Sequence, residues 1–416
     1  MKRYKMIFKS LSVMAGLFLL FAFVIGIVQS AMSINYTPTK ASQQTSILEL
    51  EPNSAFTPVY DNRKEEFTIV GYLQNGHTFE ILRDYSNEWW QISFGNGNGY
   101  VKKTDVIVNE EPYRLKSTKN TNDMFITIKE TNIFEQPSDS LHPIATIAQN
   151  LRYPIMSESN DYYEVKVAGK VGYVKKSDVE LDDGIPILMY HHFSYDEDNL
   201  YPGNLNIIPP HEFSQQMTIL AEEEVETITL TDLEGYLNGT TNLPGKVVAL
   251  TFDDGLQSVN EYAYPVLKTN KQLGNLFIIT GRTPNEGAPY NPKATKFQYL
   301  STQIIDNMRD VFSVSAHTHN MHRLKGQTSH LVAKPLEEVQ EDLRLNKSIL
   351  ETDYFAYPFG KYNKDIVKVV KEEGFKMAFT TKRGYVKKGD DPHLLNRLNV
   401  PPGMTINEYK KLVGID

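Results

Sequence analysis

Thr251-Phe252-Asp253-Asp254-Gly255 closes an apolar run, residues 247–250, and delivers two adjacent carboxylates and a glycine to the exit of what reads as a buried strand. Ionised groups are costly at such a place unless they are paired, solvated or bound to a cation, so the pair points to a polar site. One carboxylate can hold a metal while the other takes a proton. The plainer alternative is that Asp253 and Asp254 cap a helix that starts near Ser258.

Three more clusters stand at the ends of predicted strands: His191-His192, His317-Thr318-His319-Asn320-Met321-His322, and Tyr357-Pro358-Phe359-Gly360. Any one of them can be structural. In a barrel of parallel strands, however, all four converge on the mouth at the strands' C-terminal ends. Two imidazoles and one carboxylate make a site for a divalent transition metal, with positions left open for water and a substrate oxygen. Such a metal acidifies its water and polarises a carbonyl. The second aspartate then takes the water's proton, and a further histidine protonates a leaving group.

The elements that must position these groups are legible from residue 185 onward. Strands are predicted at 185–190, 227–230, 247–252, 275–279, 312–316, 354–357 and 377–380, with helical patterns between them, such as Leu336, Val339, Leu343 and Leu350 on one face. Repeated βα units imply an α/β fold, a distorted (β/α) barrel spanning 184–416.

Upstream the texture is different. Ser86-Asn87-Glu88-Trp89-Trp90 leads to Gly99-Tyr100-Val101-Lys102-Lys103, and Ser159-Asn160-Asp161-Tyr162-Tyr163 leads to Gly172-Tyr173-Val174-Lys175-Lys176, at a constant offset of 73 residues (172 minus 99). Short alternating strands and glycine turns make these two small all-β domains, 46–110 and 120–181. Alternation along a strand predicts that one residue of each pair, Trp89/Trp90 and Tyr162/Tyr163, faces outward.

The N-terminus carries Lys2, Arg3, Lys5 and Lys9 ahead of an uncharged apolar stretch, 11–28, close to the length that spans a bilayer. Residues 1–32 are therefore expected to form an uncleaved transmembrane anchor with the rest outside the cell membrane, and Val28-Gln29-Ser30 offers a cleavage site for a secreted form. Polar residues 33–45 read as a linker. At 416 residues and 40% apolar content the chain can build several cores. It has no cysteine, hence no disulfide framework, and a net charge of -8 without basic runs beyond the N-terminus excludes a nucleic-acid footprint.

From residue 184 to 402 the chain resembles the polysaccharide deacetylase family (NodB homology, carbohydrate esterase family 4). Thr251-Phe252-Asp253-Asp254-Gly255 is similar to its first motif, which implies Asp253 as catalytic base and Asp254 as metal ligand. His317-Thr318 with His322 resembles the second, implying His317 and His322 as the other ligands, with His319 as second choice or simply a solvent-facing residue. The spacing of five rather than four resembles the branch acting on poly-N-acetylglucosamine. Phe355-Ala356-Tyr357-Pro358-Phe359-Gly360 occupies the third motif but has Ala356 where the common form has arginine. Arg397 is the candidate replacement, with an exposed salt bridge as its plainer alternative, and the backbone N–H of Phe359 is the candidate oxyanion donor. Ile187-Leu188-Met189-Tyr190-His191 has the character of the family's last motif but stands first, which implies a circularly permuted order with His191 as general acid, His192 as runner-up, or a core histidine. The two all-β repeats resemble bacterial SH3-like domains, which implies a cell-wall partner or, failing that, a spacer.

The resemblance implies a metal-dependent N-deacetylase, with zinc first and cobalt or nickel as alternatives. Its substrate is expected to be N-acetylglucosamine in a surface polysaccharide, peptidoglycan first and poly-N-acetylglucosamine second. An O-acetyl esterase and a wall-binding protein with an impaired site remain open at this point.

Overall fold

The computed structural model describes residues 46–112, 121–138 and 142–415. One compact unit, Met1–Ile47 with Glu111–Arg114, lies almost wholly outside the described residues; the other, Leu48–Glu110 with Leu115–Asp416, carries everything below. The expected anchor, 1–32, and linker, 33–45, fall outside the described residues. Among the described residues no helix is long and apolar enough to cross a membrane.

The N-terminal repeats are all-β. Equivalent hairpins, Trp89–Phe94 with Gly97–Lys102 and Tyr162–Val167 with Lys170–Lys175, end in equivalent single turns, Lys103–Asp105 and Lys176–Asp178. The repeats do not stand apart. Strand Pro143–Ile147 of the second pairs antiparallel with Thr68–Leu73 of the first, Ile147 opposite Gly71. A Cβ on Gly71 would lie 2.2 Å from the Thr146 carbonyl oxygen, so only glycine permits this approach. One 12-stranded sheet path therefore runs through both repeats, and Val59, Phe94, Ile144 and Val165 share a single apolar core. Outward alternation holds for Tyr162 over buried Tyr163, but Trp89 and Trp90 are both half-buried. Trp89 stacks on Phe67 (4.6 Å between centroids, 11° between planes) and Lys103 Nζ caps Trp90 at 4.3 Å.

The barrel strands, numbered in chain order, are β1 (Ile187–Tyr190), β2 (Val247–Phe252), β3 (Gly274–Ile278), β4 (Phe312–Ala316), β5 (Tyr354–Ala356), β6 (Met377–Phe379) and β7 (Leu398–Asn399). They lie in the order β6-β5-β4-β3-β2-β1-β7, all parallel. Segment 395–399 joins the two edges, since Leu395 bridges Phe379 of β6 and Leu398 pairs with Leu188 of β1. The sheet is thereby curled into a distorted barrel. Every residue of β2 is buried, as expected of a strand covered on both faces.

Two local expectations need correction. The strand predicted at 227–230 is only Glu226–Thr227, because Thr229 starts α1 (Leu230–Asn238) with a capping box: its side chain accepts from the Asp232 N–H, and the Asp232 carboxylate accepts from the Thr229 N–H. In α2 (Leu336–Leu350) the buried face is Val339, Asp342, Leu343 and Asn346, while Leu336 is 46% exposed. The helix is rotated from its apolar pattern because two polar side chains have partners in the core.

The repeats dock on the N-terminal side of β2, through the short strand Glu226–Thr227, α1 and the loop that follows it. Asn96 Nδ2 donates to the Tyr236 carbonyl (2.8 Å), Asn242 Nδ2 to the Asn98 carbonyl (3.2 Å), and Arg63 pairs with Glu226 (2.6 Å). Arg152, 2% exposed, is buried against Asp182 (2.9 Å) and the Pro244 carbonyl. The strands' C-terminal ends open on the opposite side of the barrel.

Candidate active site

All four predicted clusters stand at the C-terminal ends of their strands: His191 after β1, Asp253 and Asp254 after β2, His317 after β4, and Phe359 after β5. The backbone there is unusual. Asp254, Thr318 and Phe359 have φ of 73°, 70° and 58°, the left-handed region that non-glycine residues avoid. Three such residues at one mouth mark strain held in place by the surrounding fold.

Asp253 is 2% exposed and is gripped by Arg397, Nη1 to Oδ1 at 2.7 Å and Nη2 to Oδ2 at 2.8 Å. Arg397 is itself 1% exposed, and its Nε donates to the Thr380 carbonyl (2.9 Å), which locks the fork in plane. The arginine is buried, so the exposed alternative falls. Burial pushes the Asp253 carboxyl up, and the charge and paired hydrogen bonds of Arg397 more than offset it, holding the group below the usual carboxylate range. The helix-cap alternative falls as well. The following helical turn, Val259–Ala263, begins at Ser258 without a side-chain cap, and both Asp253 oxygens are engaged elsewhere.

Asp254 turns the other way. Its Oδ1 is buried with no hydrogen-bond partner, 3.5 Å from His317 Nε2 and 3.1 Å from His322 Nε2. His317 Nδ1 lies 2.8 Å from the Ala356 carbonyl oxygen. A carbonyl only accepts, so Nδ1 carries the proton and the neutral ring's Nε2 lone pair faces the carboxylate. Two acceptors aimed at each other call for a cation between them. One ligand atom each from Asp254, His317 and His322 lie within 4.8 Å of one another, so this donor set fits a divalent metal. Burial lowers the His322 imidazole's proton affinity more than Asp254 raises it, which keeps it available as a neutral ligand.

The histidine loop is held from below by residues that sequence reasoning passed over. Asp342 Oδ1 accepts from the His319 N–H (2.7 Å) and Oδ2 from the Asn320 N–H (2.5 Å), while Asn346 Nδ2 donates to the Ile278 carbonyl (3.2 Å) and to Thr280 Oγ1 (2.8 Å). Their i, i+4 spacing on α2 was the available signal. His319 does not join the metal set: its Nδ1 lies 2.9 Å from Thr280 Oγ1, and the ring is half-buried rather than solvent-facing.

His191 Nε2 is 3.9 Å from Asp253 Oδ2, and its Nδ1 is buried without a partner. His192 points elsewhere, with Nδ1 2.8 Å from Ser258 Oγ, and burial pulls it down to about 4. His192 is thus engaged by Ser258 while His191 faces Asp253, so of the two only His191 is placed to donate a proton at the site. The Phe359 ring lies 4.2 Å from the His322 ring and forms a wall of the mouth.

Residues 240–378 match the sequence profile of the family described as polysaccharide deacetylase. The Bacillus subtilis protein YxkH is 27% identical over 223 residues, 53% of this chain and 73% of that protein. The poly-beta-1,6-N-acetyl-D-glucosamine N-deacetylase of Staphylococcus aureus is 26% identical over 196 residues, 45% of this chain and 65% of that enzyme, so just under two thirds of its length is spanned. The solved structure of IcaB from Ammonifex degensii is 30% identical, with 56% of this chain and 96% of that one covered at a TM-score of 0.46.

Proposed function

We propose that this chain, which carries a polysaccharide deacetylase domain and is an N-deacetylase, removes acetyl groups from N-acetylglucosamine units of a cell-surface polysaccharide. The observation that carries the reading is the division of the adjacent aspartates, Asp253 clamped by Arg397 and Asp254 turned toward His317 and His322.

Asp254, His317 and His322 hold a divalent metal, zinc first, which when bound supplies Lewis acidity to the acetamide carbonyl and to water. Asp253 takes a proton from the attacking water, its lone pairs aimed by the guanidinium of Arg397. As the carbonyl becomes tetrahedral, the Phe359 N–H donates to its oxygen. His191 then protonates the amine nitrogen, the C–N bond breaks, and acetate and a free amine leave. Unaided, an amide nitrogen leaves poorly, which is why the acid is needed. Arg397 also answers the doubt raised by Ala356: the guanidinium comes from β7's approach instead, so an impaired wall-binding protein is not the favoured reading.

Poly-N-acetylglucosamine becomes the first substrate, reversing the order read from the sequence, because the Staphylococcus aureus relative is named for it and shares the same kind of domain. The position of β1 between β2 and β7 supports the permuted order, since the first strand in the chain lies beside the last. Peptidoglycan is the second reading, supported by the aromatic face of the first repeat, where Phe67, Trp89 and Tyr60 meet under Lys102; a wall-binding SH3-like role suits it. The basic N-terminus and apolar stretch support a membrane-anchored, extracytoplasmic enzyme.

The test is acetate release by a chain beginning at residue 33, supplied with zinc or cobalt, from β-1,6-linked N-acetylglucosamine oligomers and from purified peptidoglycan. Release from the oligomers alone supports the first reading and from peptidoglycan alone the second. No release from either, with metal bound, sinks both.

A further inference from the structure

Beside His191 lies a shallow, partly open pocket with His192, Asp198, Tyr201, Tyr290, Lys296 and Phe297 among its walls. Both walls are tied to the catalytic loops. His192 follows His191 directly. On the other side the Gln257 N–H donates to the Gln298 carbonyl (2.8 Å) and the Leu300 N–H to the Gly255 carbonyl (2.9 Å), so the far wall is anchored two residues past Asp253.

The chemistry of the walls is mixed in a specific way. Phe297, 38% exposed, meets the Tyr201 ring at 5.3 Å and 34° and the His192 ring at 5.1 Å and 72°, forming an aromatic shelf. Asp198 lines the same pocket with a buried Oδ1 that has no hydrogen-bond partner, and among the described residues it makes no ion pair. Burial pushes the Tyr290 hydroxyl up, with smaller contributions from Tyr262, Glu261 and Asp198. A carboxylate left without a partner beside an aromatic shelf suits a ligand with an apolar ring face and a cation.

We propose that this pocket is a subsite for a neighbouring unit of the same glycan chain and that it selects a unit already deacetylated. The ring of that glucosamine lies on Phe297 and Tyr201, and its ammonium meets Asp198. The proposal rests on the N-deacetylase reading above, whose product is the amine that Asp198 recognises. Each hydrolysed unit then improves binding for attack on its neighbour, and free amines accumulate in runs rather than at random.

The experiment compares two β-1,6-linked pentasaccharides with the metal-loaded chain, one fully N-acetylated and one carrying a single free amine. The expected result is a kcat/KM about fivefold higher on the second, the range of a charged hydrogen bond at a partly exposed site, with Asp198→Asn bringing the ratio to about one. A ratio near one in the unaltered chain, or a preference that survives Asp198→Asn, overturns the subsite. Failure to hydrolyse either sugar overturns the deacetylase reading instead, and calorimetry with fully deacetylated pentasaccharide then decides the subsite alone. Binding about fivefold weaker in Asp198→Asn supports it, and equal affinity refutes it.

Discussion

Arg397 reaches Asp253 across 144 residues of sequence and closes on it with two parallel hydrogen bonds of 2.7 and 2.8 Å. A lysine keeps the charge but cannot present the fork. Arg397→Lys is therefore expected to lower kcat by about a hundredfold while zinc affinity, read by chelator competition, stays within a few-fold, since the ligands belong to the other aspartate. Arg397→Ala leaves a buried carboxylate unpaired and should cost about 3–5 kcal/mol of stability. Equal kcat for the lysine variant would remove the positioning role.

Restoring arginine at residue 356 should not help. Ala356 is fully buried and its carbonyl accepts from His317. Ala356→Arg is expected to destabilise by about 3 kcal/mol or more through overpacking and an unsatisfied charge, and to lower zinc affinity with it. A chemical-denaturation midpoint equal to that of the parent would contradict this.

Metal binding separates the three histidines of the loop. Removing a residue that only hydrogen-bonds to a metal ligand already costs about 10–100-fold in affinity, so Asp254→Ala, His317→Ala and His322→Ala should each lose roughly a hundredfold or more. His330→Ala, on the short helix His330–Ala333 and outside the ligand set, and His319→Ala should stay within a few-fold of the parent. Asp342→Asn tests the support beneath the loop: an amide replaces one of the two accepting oxygens with an NH2 that faces a backbone N–H, and a roughly tenfold loss of zinc affinity is expected although residue 342 is not one of the metal-ligand candidates.

His192 sets a pH dependence of stability. Its folded value near 4 lies below the unfolded 6.5, so the unfolded chain binds more protons between these limits. Stability is then full above about pH 6.5 and falls as pH drops toward 4, by up to about 1.4 kcal/mol per pH unit. His192→Gln should flatten this stretch, seen as a smaller shift in urea midpoint between pH 7 and pH 4.5 than in the parent. Identical shifts would mean that the imidazole is not held neutral.

The sequence showed the barrel's strands and the four clusters at their exits because both signals are local: apolar runs end in polar residues of unusual type. Arg397 was visible only as a candidate, since nothing near Leu395 says which strand edge the segment will meet. Asp342 and Asn346 were missed for a plainer reason. A periodicity of apolar residues cannot register polar side chains buried to hold a loop, and it placed exposed Leu336 on the inner face instead. The fusion of the two repeats escaped because strand pairing between them depends on Gly71 facing Thr146, a contact that repetition alone does not encode.

Segment 395–399 joins the barrel's two edges and in the same few residues carries the arginine that aims the base. Closure and competence are thus one event in the life of the polypeptide. While the last strand is unpaired, Asp253 lacks the guanidinium that holds both its oxygens. Acetate release therefore doubles as a gauge of maturation, reporting when the barrel has shut.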